Sequence, residues 1–352
     1  MTSRPRDARF LAALSFEERC SAALVDWQRQ DDRSARSAVF FSYEDRATPD
    51  LEATVARESN WARIVDFAES ASLPVLRRRL DPYSIGDFEN YIAAAAEEAD
   101  EILIDLSCFT KPHLMAAARA VLRLDQATAW SVCYSSPYSY GNLNAPAARG
   151  GWQDTLVLPL GNDPSLTNQG MALGFVLAGM EADRTAIALN ELEPASGLIV
   201  FSRRHDRPDL QRVTIANNSL LLAHLRELRM PGPQGRRILP YFHSGGWEVD
   251  KLQLEIITAE IGRCLGRLVT AAESIGSPII LFPFGPKIAV FLASLYLARE
   301  YPNSSWAVYP IPKTHPIDYS DGVRNVEWYE GSMVLEVLAA SRGRSACQRS
   351  RN

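Results

Sequence analysis

Residues Glu101–Leu124 read EILIDLSCFTKPHLMAAARAVLRL, and this stretch decides the fold. Ile102, Leu103 and Ile104 form the short apolar run of a strand buried on both faces, and Asp105 closes it. A polar loop with Ser107, Thr110 and Lys111 follows. Pro112 stands where a first-turn proline would, and Leu114, Met115, Ala118, Val121 and Leu122 recur at helical spacing. The reading is therefore strand, turn, helix, with the helix N–H groups and positive dipole end beside Thr110 and Lys111, an address that favours an anion.

The same design returns in Ile279–Ala298, IILFPFGPKIAVFLASLYLA, where Gly285, Pro286 and Lys287 make the turn. Lys111 and Lys287 are 176 residues apart, and so are Trp130 and Trp306 in the strands that follow. Upstream, VFFSYEDRATPDL resembles IVFSRRHDRPDL with Ser42 and Ser202 160 apart, and LAALSFEERCSAAL resembles VLAGMEADRTAIAL with Arg19 and Arg184 165 apart. Four matched pieces in one order predict an internal duplication.

Working outward, strands are expected at Ala8–Leu14, Ala38–Ser42, Leu73–Leu80, Ile102–Leu106 and Ala129–Tyr134. Helices are expected at Phe16–Gln28, Asp50–Ala71 and Gly86–Ala99. Such alternation predicts an α/β fold, a doubly wound parallel sheet of Rossmann-like type, since right-handed crossovers place helices on both faces. The expected division is residues 1–142 as the first unit, 143–170 as a linker with an extra strand at Thr155–Leu160, 171–340 as the second unit, and 341–352 as a disordered basic tail. In the second unit strands are expected at Leu173–Ala178, Gly197–Ser202, Arg237–Phe242, Ile279–Phe282 and Ala307–Ile311, and helices at Asn217–Arg229 and at Val249–Ile275, the latter interrupted at Gly262 and Gly266.

The 352 residues suffice for two domains, and 47% hydrophobic with 22% charged residues is a globular composition. A net charge of −5 argues against general nucleic-acid binding but leaves room for a local basic pocket. Five cysteines without a C-x-x-C pair suit reduced cytoplasmic thiols rather than disulfides or zinc. The longest apolar helix, Ile288–Ala298, falls short of the roughly 20 residues of a membrane span. No G-x-G-x-x-G, P-loop or G-x-S-x-G motif is present, so neither a dinucleotide cofactor nor a serine hydrolase is expected, and no metal site is visible.

Ligands of doubly wound sheets sit outside the carboxyl ends of the strands where the order reverses, between strands one and four. That rule brings together Ser15, Glu17, Glu18 and Arg19 with Asp105, Ser107, Thr110 and Lys111. In the second unit it joins Arg184 to Gly285 and Lys287. The basic groups and N–H donors suit phosphates, and the carboxylates suit ribose hydroxyls or orient the basic side chains. A competing reading makes Glu17, Glu18 and Asp105 the acid and base of a nucleotide or N-glycosidic-bond hydrolase. A third is a scaffold subunit.

The run Asp105-Leu106-Ser107-Cys108-Phe109-Thr110-Lys111 resembles the strand-four motif of CRISPR-associated Rossmann fold (CARF) domains: an Asp, a hydroxyl residue, two glycines, Thr and Lys. Two such units in one chain look like SAVED domains of prokaryotic antiviral systems. The resemblance implies a sensor of a small phosphorylated nucleotide, with Ser15, Arg19, Ser107, Thr110, Lys111 and Lys287 lining the pocket. It also implies a separate effector partner, with homo-oligomers as a further possibility. Cys108 and Phe109 replace the glycines, which crowds the backbone approach of a ligand.

Overall fold

The chain begins with β1 (Ala8–Leu14), a short 3-10 turn (Glu18–Cys20), α1 (Ala22–Gln28), β2 (Ala35–Tyr43) and α2 (Leu51–Ser70). β3 (Val75–Leu80), α3 (Ile85–Glu97), β4 (Glu101–Asp105), α4 (Lys111–Val121), β5 (Ala129–Ser136) and β6 (Ser139–Tyr140) follow. Then come β7 (Trp152–Pro159), β8 (Leu173–Ala178), α5 (Ala182–Leu192), β9 (Ser196–Arg204), α6 (Pro208–Asn217) and β10 (Gly245–Val249). The chain continues through α7 (Leu254–Ile275), β11 (Ile279–Pro283), α8 (Lys287–Glu300), β12 (Ser305–Pro312), β13 (Ser320–Asp321), β14 (Asn325–Glu330) and α9 (Gly331–Cys347). The computed structural model describes residues 7–30, 35–43, 51–140, 152–161, 172–179, 182–192, 194, 196–204, 208–219, 245–249, 254–312 and 320–347.

Two units emerge, Met1–Asn142 with His315–Met333, and Leu143–Thr314 with Val334–Asn352. The first sheet has the order β14-β5-β4-β1-β2-β3 and the second β10-β9-β8-β11-β12-β7. In each, five strands are parallel and the sixth, β14 or β7, is antiparallel on an edge. Numbered within its unit, each sheet therefore reads 3-2-1-4-5, the doubly wound order with its reversal between strands one and four. The registers match too: Trp130 pairs with Ile102 on the fourth strand of one sheet, and Trp306 with Ile280 in the other.

The central strands are apolar because helices cover both faces. All five residues of β4 and of β11 are buried. Helices α4 and α8, which follow these strands, are buried almost all round, as their unbroken apolar sequences require. Phe41 meets Phe88 of α3 edge to face at 5.2 Å, joining sheet and helix in the first core. In the second, Val176, Ile199, Phe282 and Val308 pack against Ala188 and Leu189 of α5.

Several boundaries differ from expectation. The strand expected in a linker at Thr155–Leu160 is β7, an edge of the second sheet. The second unit does not run unbroken to residue 340, because residues 315–333 return to the first unit and supply β13 and β14. No strand was expected at Asn325–Glu330, where NVEWYE mixes polar and apolar residues on a half-exposed edge. Helix α9 continues to Cys347, past Ser341, where a patternless tail was expected. The third strand of the second sheet is β10, and the expected strand at Arg237–Phe242 lies outside the described residues. Helix α6 ends at Asn217, and most of the helix expected at Asn217–Arg229 lies outside the described residues, while α7 runs unbroken through Gly262 and Gly266, where interruptions were expected. No helix among the described residues is long and apolar enough to cross a membrane.

Candidate functional site

At the carboxyl end of β1 the chain turns through Ser15 and Glu17 into the 3-10 turn that carries Arg19. Arg19 is only 2% exposed. Its Nε donates to Glu17 Oε2 at 2.9 Å and its Nη2 lies 2.8 Å from the same oxygen, while Nη1 donates to the carbonyl of Ser135 at 3.2 Å. The guanidinium also stands 5.9 Å from the Tyr134 ring centroid. Burial opposes the Arg19 charge, but the Glu17 carboxylate and the neighbouring Tyr134, Cys108 and Tyr140 hold its pKa well above the ordinary value. A second donor to Glu17 is the hydroxyl of Ser320 in β13.

Asn60 of α2 fixes this loop from below. Its Nδ2 donates to the carbonyls of Ser15 at 2.9 Å and Glu17 at 3.2 Å. Asn218 does the equivalent work in the second unit, donating to the carbonyl of Gly179, the residue after β8, at 2.9 Å. Neither asparagine was singled out from the sequence. Their signal was the shared position at or just past the helix that follows the second strand.

The loop from β4 to α4 is built around Asp105, whose Oδ1 accepts from the main-chain N–H of Ser107 at 2.9 Å and from the Ser107 hydroxyl. The same hydroxyl oxygen accepts from the N–H of Ser135 at 2.7 Å. Asp105 and Ser107 are buried, so they shape the loop rather than line an open surface. Phe109 turns inward and meets Phe88 at 4.9 Å and Phe41 at 6.0 Å. A bulky residue is thus accommodated where the resembled motif has glycine, because its side chain belongs to the core. Thr110 and Lys111, both half-buried, open α4. The Thr110 N–H donates to the Tyr43 hydroxyl at 3.1 Å, and Thr110 Oγ1 lies 2.7 Å from His113 Nδ1. Burial pushes the His113 imidazole down to about 3.

In the second unit Lys287 opens α8 as Lys111 opens α4. Gly285 is needed for close packing: a Cβ there would stand 3.0 Å from Leu177 Cβ. A Cβ on Gly179 would fall 2.0 Å from the carbonyl oxygen of Phe284, so the loops after strands one and four press main chain to main chain. Arg184 lies in α5, and its side chain is outside the described residues.

The three carboxylates of the hydrolytic reading are engaged separately. Glu17 is held by Arg19 and Ser320, Glu18 lies 3.6 Å from Arg63 and is 57% exposed, and Asp105 accepts from Ser107. The buried thiols nearby are unreactive in character, since burial raises Cys20 to about 12 and Cys133 well above its usual range. Among the described residues no cluster of His, Cys, Asp and Glu could hold a metal ion.

No family model matches the chain, and no curated protein matches its sequence. Among solved structures it is similar to Can2 from Sulfobacillus thermosulfidooxidans in complex with cyclic tetra-adenylate, with 11% identity, 37% of this chain and 32% of that one covered, and a TM-score of 0.27. It is also similar to a type III CRISPR defence DNA nuclease activated by cyclic oligoadenylate, with 10% identity, 85% and 65% covered, and a TM-score of 0.48. A functionally unknown protein, PA1789 from Pseudomonas aeruginosa PAO1, is 9% identical over 95% of this chain and 96% of that one, with a TM-score of 0.24. The chain spans less than two thirds of the length of either of the first two proteins, and these similarities concern chain architecture at most.

Proposed function

We propose that this protein is a nucleotide-sensing or scaffold subunit of a prokaryotic antiviral defence system, which binds a small phosphorylated ligand at the carboxyl edge of its sheets and signals to a separate effector. One observation carries the reading: Thr110 and Lys111 open a buried helix where β4 meets β1, the reversal point of the strand order. The helix dipole and an ammonium act together there on an anion. Lys287 occupies the same address in the second sheet. The equal strand orders and shared offsets support a duplication as the origin of the pair.

The test is calorimetric titration of the full chain with cyclic oligoadenylates, ATP and NAD. Binding without steady multiple turnover is expected. Lys111→Ala should leave the unfolding free energy within about 1 kcal/mol of wild type, the worth of a half-exposed charge. The same change should weaken the ligand by roughly 1.5–3 kcal/mol, the worth of a charge-assisted hydrogen bond. Absence of binding to every probe would refute the sensor, and sustained turnover would favour an enzyme.

A further inference from the structure

Arg19 stands at the reversal point of the strand order, yet a two-stranded ribbon closes over it. Tyr140 of β6 pairs with Ser320 of β13 and Ser139 with Asp321. The ribbon reaches the buried ion pair through β13: the Ser320 hydroxyl donates to the Glu17 oxygen that also accepts from Arg19. The Ser135 hydroxyl is buried and has no hydrogen-bond partner, although its residue's carbonyl is bonded to Arg19 and its N–H to Ser107. A polar network left incomplete in this way is unfavourable in the closed protein unless another state completes it.

The ribbon is short. It is two residues long on each side, and such isolated pairs are marginal in water. Around it Tyr138 is 70% exposed and Val323 39%. Beside the Ser320 bond, its ties to the body of the unit include a bond from the Arg324 N–H to the Ser136 carbonyl at 2.9 Å. Short, partly exposed segments of this kind open below the global unfolding free energy.

We infer that the β6–β13 ribbon is a latch held shut by the Ser320–Glu17 bond, and that its opening presents Arg19 and the Ser135 hydroxyl to a phosphate of the ligand. In the open state the guanidinium exchanges Glu17 for a phosphate, which it can grip with two parallel N–H bonds. Ser135 supplies a third donor. Strand alternation puts Ser135 on the face of Cys133 and of the paired Trp328, which packs against Trp27 of α1, and puts Ser136 on the other face with Tyr134. Ser136 also carries a buried hydroxyl without a partner and so serves as a matched control. This inference rests on the sensor reading for its ligand, but the latch has a readout of its own.

The experiment uses the full chain as wild type, Ser320→Ala, Ser135→Ala and Ser136→Ala. Hydrogen exchange without ligand is followed at Tyr138, whose N–H donates to the Asp321 carbonyl, and at Arg324. Ser320→Ala should exchange at least tenfold faster at both amides, and the other variants should match wild type. Titration with cyclic tetra-adenylate should give binding about tenfold weaker in Ser135→Ala and unchanged in Ser136→Ala. Ser320→Ala should bind severalfold more tightly, because the closed state no longer reduces the competent population. Unchanged exchange in Ser320→Ala would overturn the latch whatever the ligand does. Faster exchange with affinity unchanged in both Ser320→Ala and Ser135→Ala would overturn the link to binding. Failure of wild type to bind the probe, with exchange as expected, would leave a latch on a site that the sensor reading has misassigned, and would refute the ligand role given to Arg19 and Ser135.

Discussion

His113 lies at the third position of α4, fully buried between the rings of Tyr43 and Phe88 at 5.0 and 5.3 Å, with its Nδ1 on Thr110. Its neutral form is the native one because burial holds its pKa near about 3, against an ordinary value of about 6.5. The folded chain therefore resists a proton that the unfolded chain accepts. Stability from this group is complete above the unfolded pKa and is lost as pH falls toward 3, at up to ~1.4 kcal/mol per pH unit. Between pH 7.5 and 5, urea unfolding of wild type should thus lose roughly 2 kcal/mol more than that of His113→Asn, which cannot take up the proton. Equal losses in the two proteins would show that His113 is not buried neutral.

At the scale of elements, each antiparallel edge strand ends against a glycine that cannot be replaced freely. After β14, a Cβ on Gly331 would lie 2.2 Å from the buried Trp130 ring, and after β7 a Cβ on Gly161 would lie 1.7 Å from the carbonyl oxygen of Pro302. Gly331 is the first residue of α9, where alanine would by itself favour the helix by at most about 1 kcal/mol. Overpacking of a core ring costs typically about 1–3 kcal/mol, so the clash wins and Gly331→Ala should lower stability by about 1–2 kcal/mol in chemical denaturation. Gly161→Ala should cost more, since a main-chain carbonyl cannot swing away as a ring can. Asn60 is a different kind of tie between α2 and the loop after β1. Asn60→Ala should lower unfolding stability by about 2 kcal/mol, because it removes a donor from two carbonyls at a buried position.

For the molecule as a whole, what was legible in the sequence was whatever is built from continuous apolar runs. Ile102–Ile104 and Ile279–Phe282 could be little other than central parallel strands, and the spacing of Lys111, Lys287, Trp130 and Trp306 placed equivalent residues at equivalent register. The loops at the carboxyl edge that hold the candidate residues were legible from topology, but the partners of their side chains were not. Arg19 meets Ser135, 116 residues away, and Glu17 meets Ser320, 303 residues away, and no local pattern records such pairs. For the same reason β14 was missed, being an edge strand whose mixture of polar and apolar residues carries no strong signal until its partner β5 is known. That strand makes a final expectation about the first unit. Its residues Asn325–Glu330 pair along β5 from Ser136 to Ser131, Trp328 packs tilted against Trp27 with ring centroids 4.6 Å apart and donates to Asp26 at 2.8 Å, and Tyr329 is buried. A chain of residues 1–142 therefore leaves β5 as a bare edge and uncovers the Trp27 side of α1, even though it contains every strand of the parallel order. Such a fragment should be aggregation-prone and lack cooperative thermal unfolding, while a synthetic peptide of residues 320–333 added in trans should restore a cooperative transition. A fragment that unfolds cooperatively without the peptide would show that the returning segment is an ornament on a self-sufficient domain.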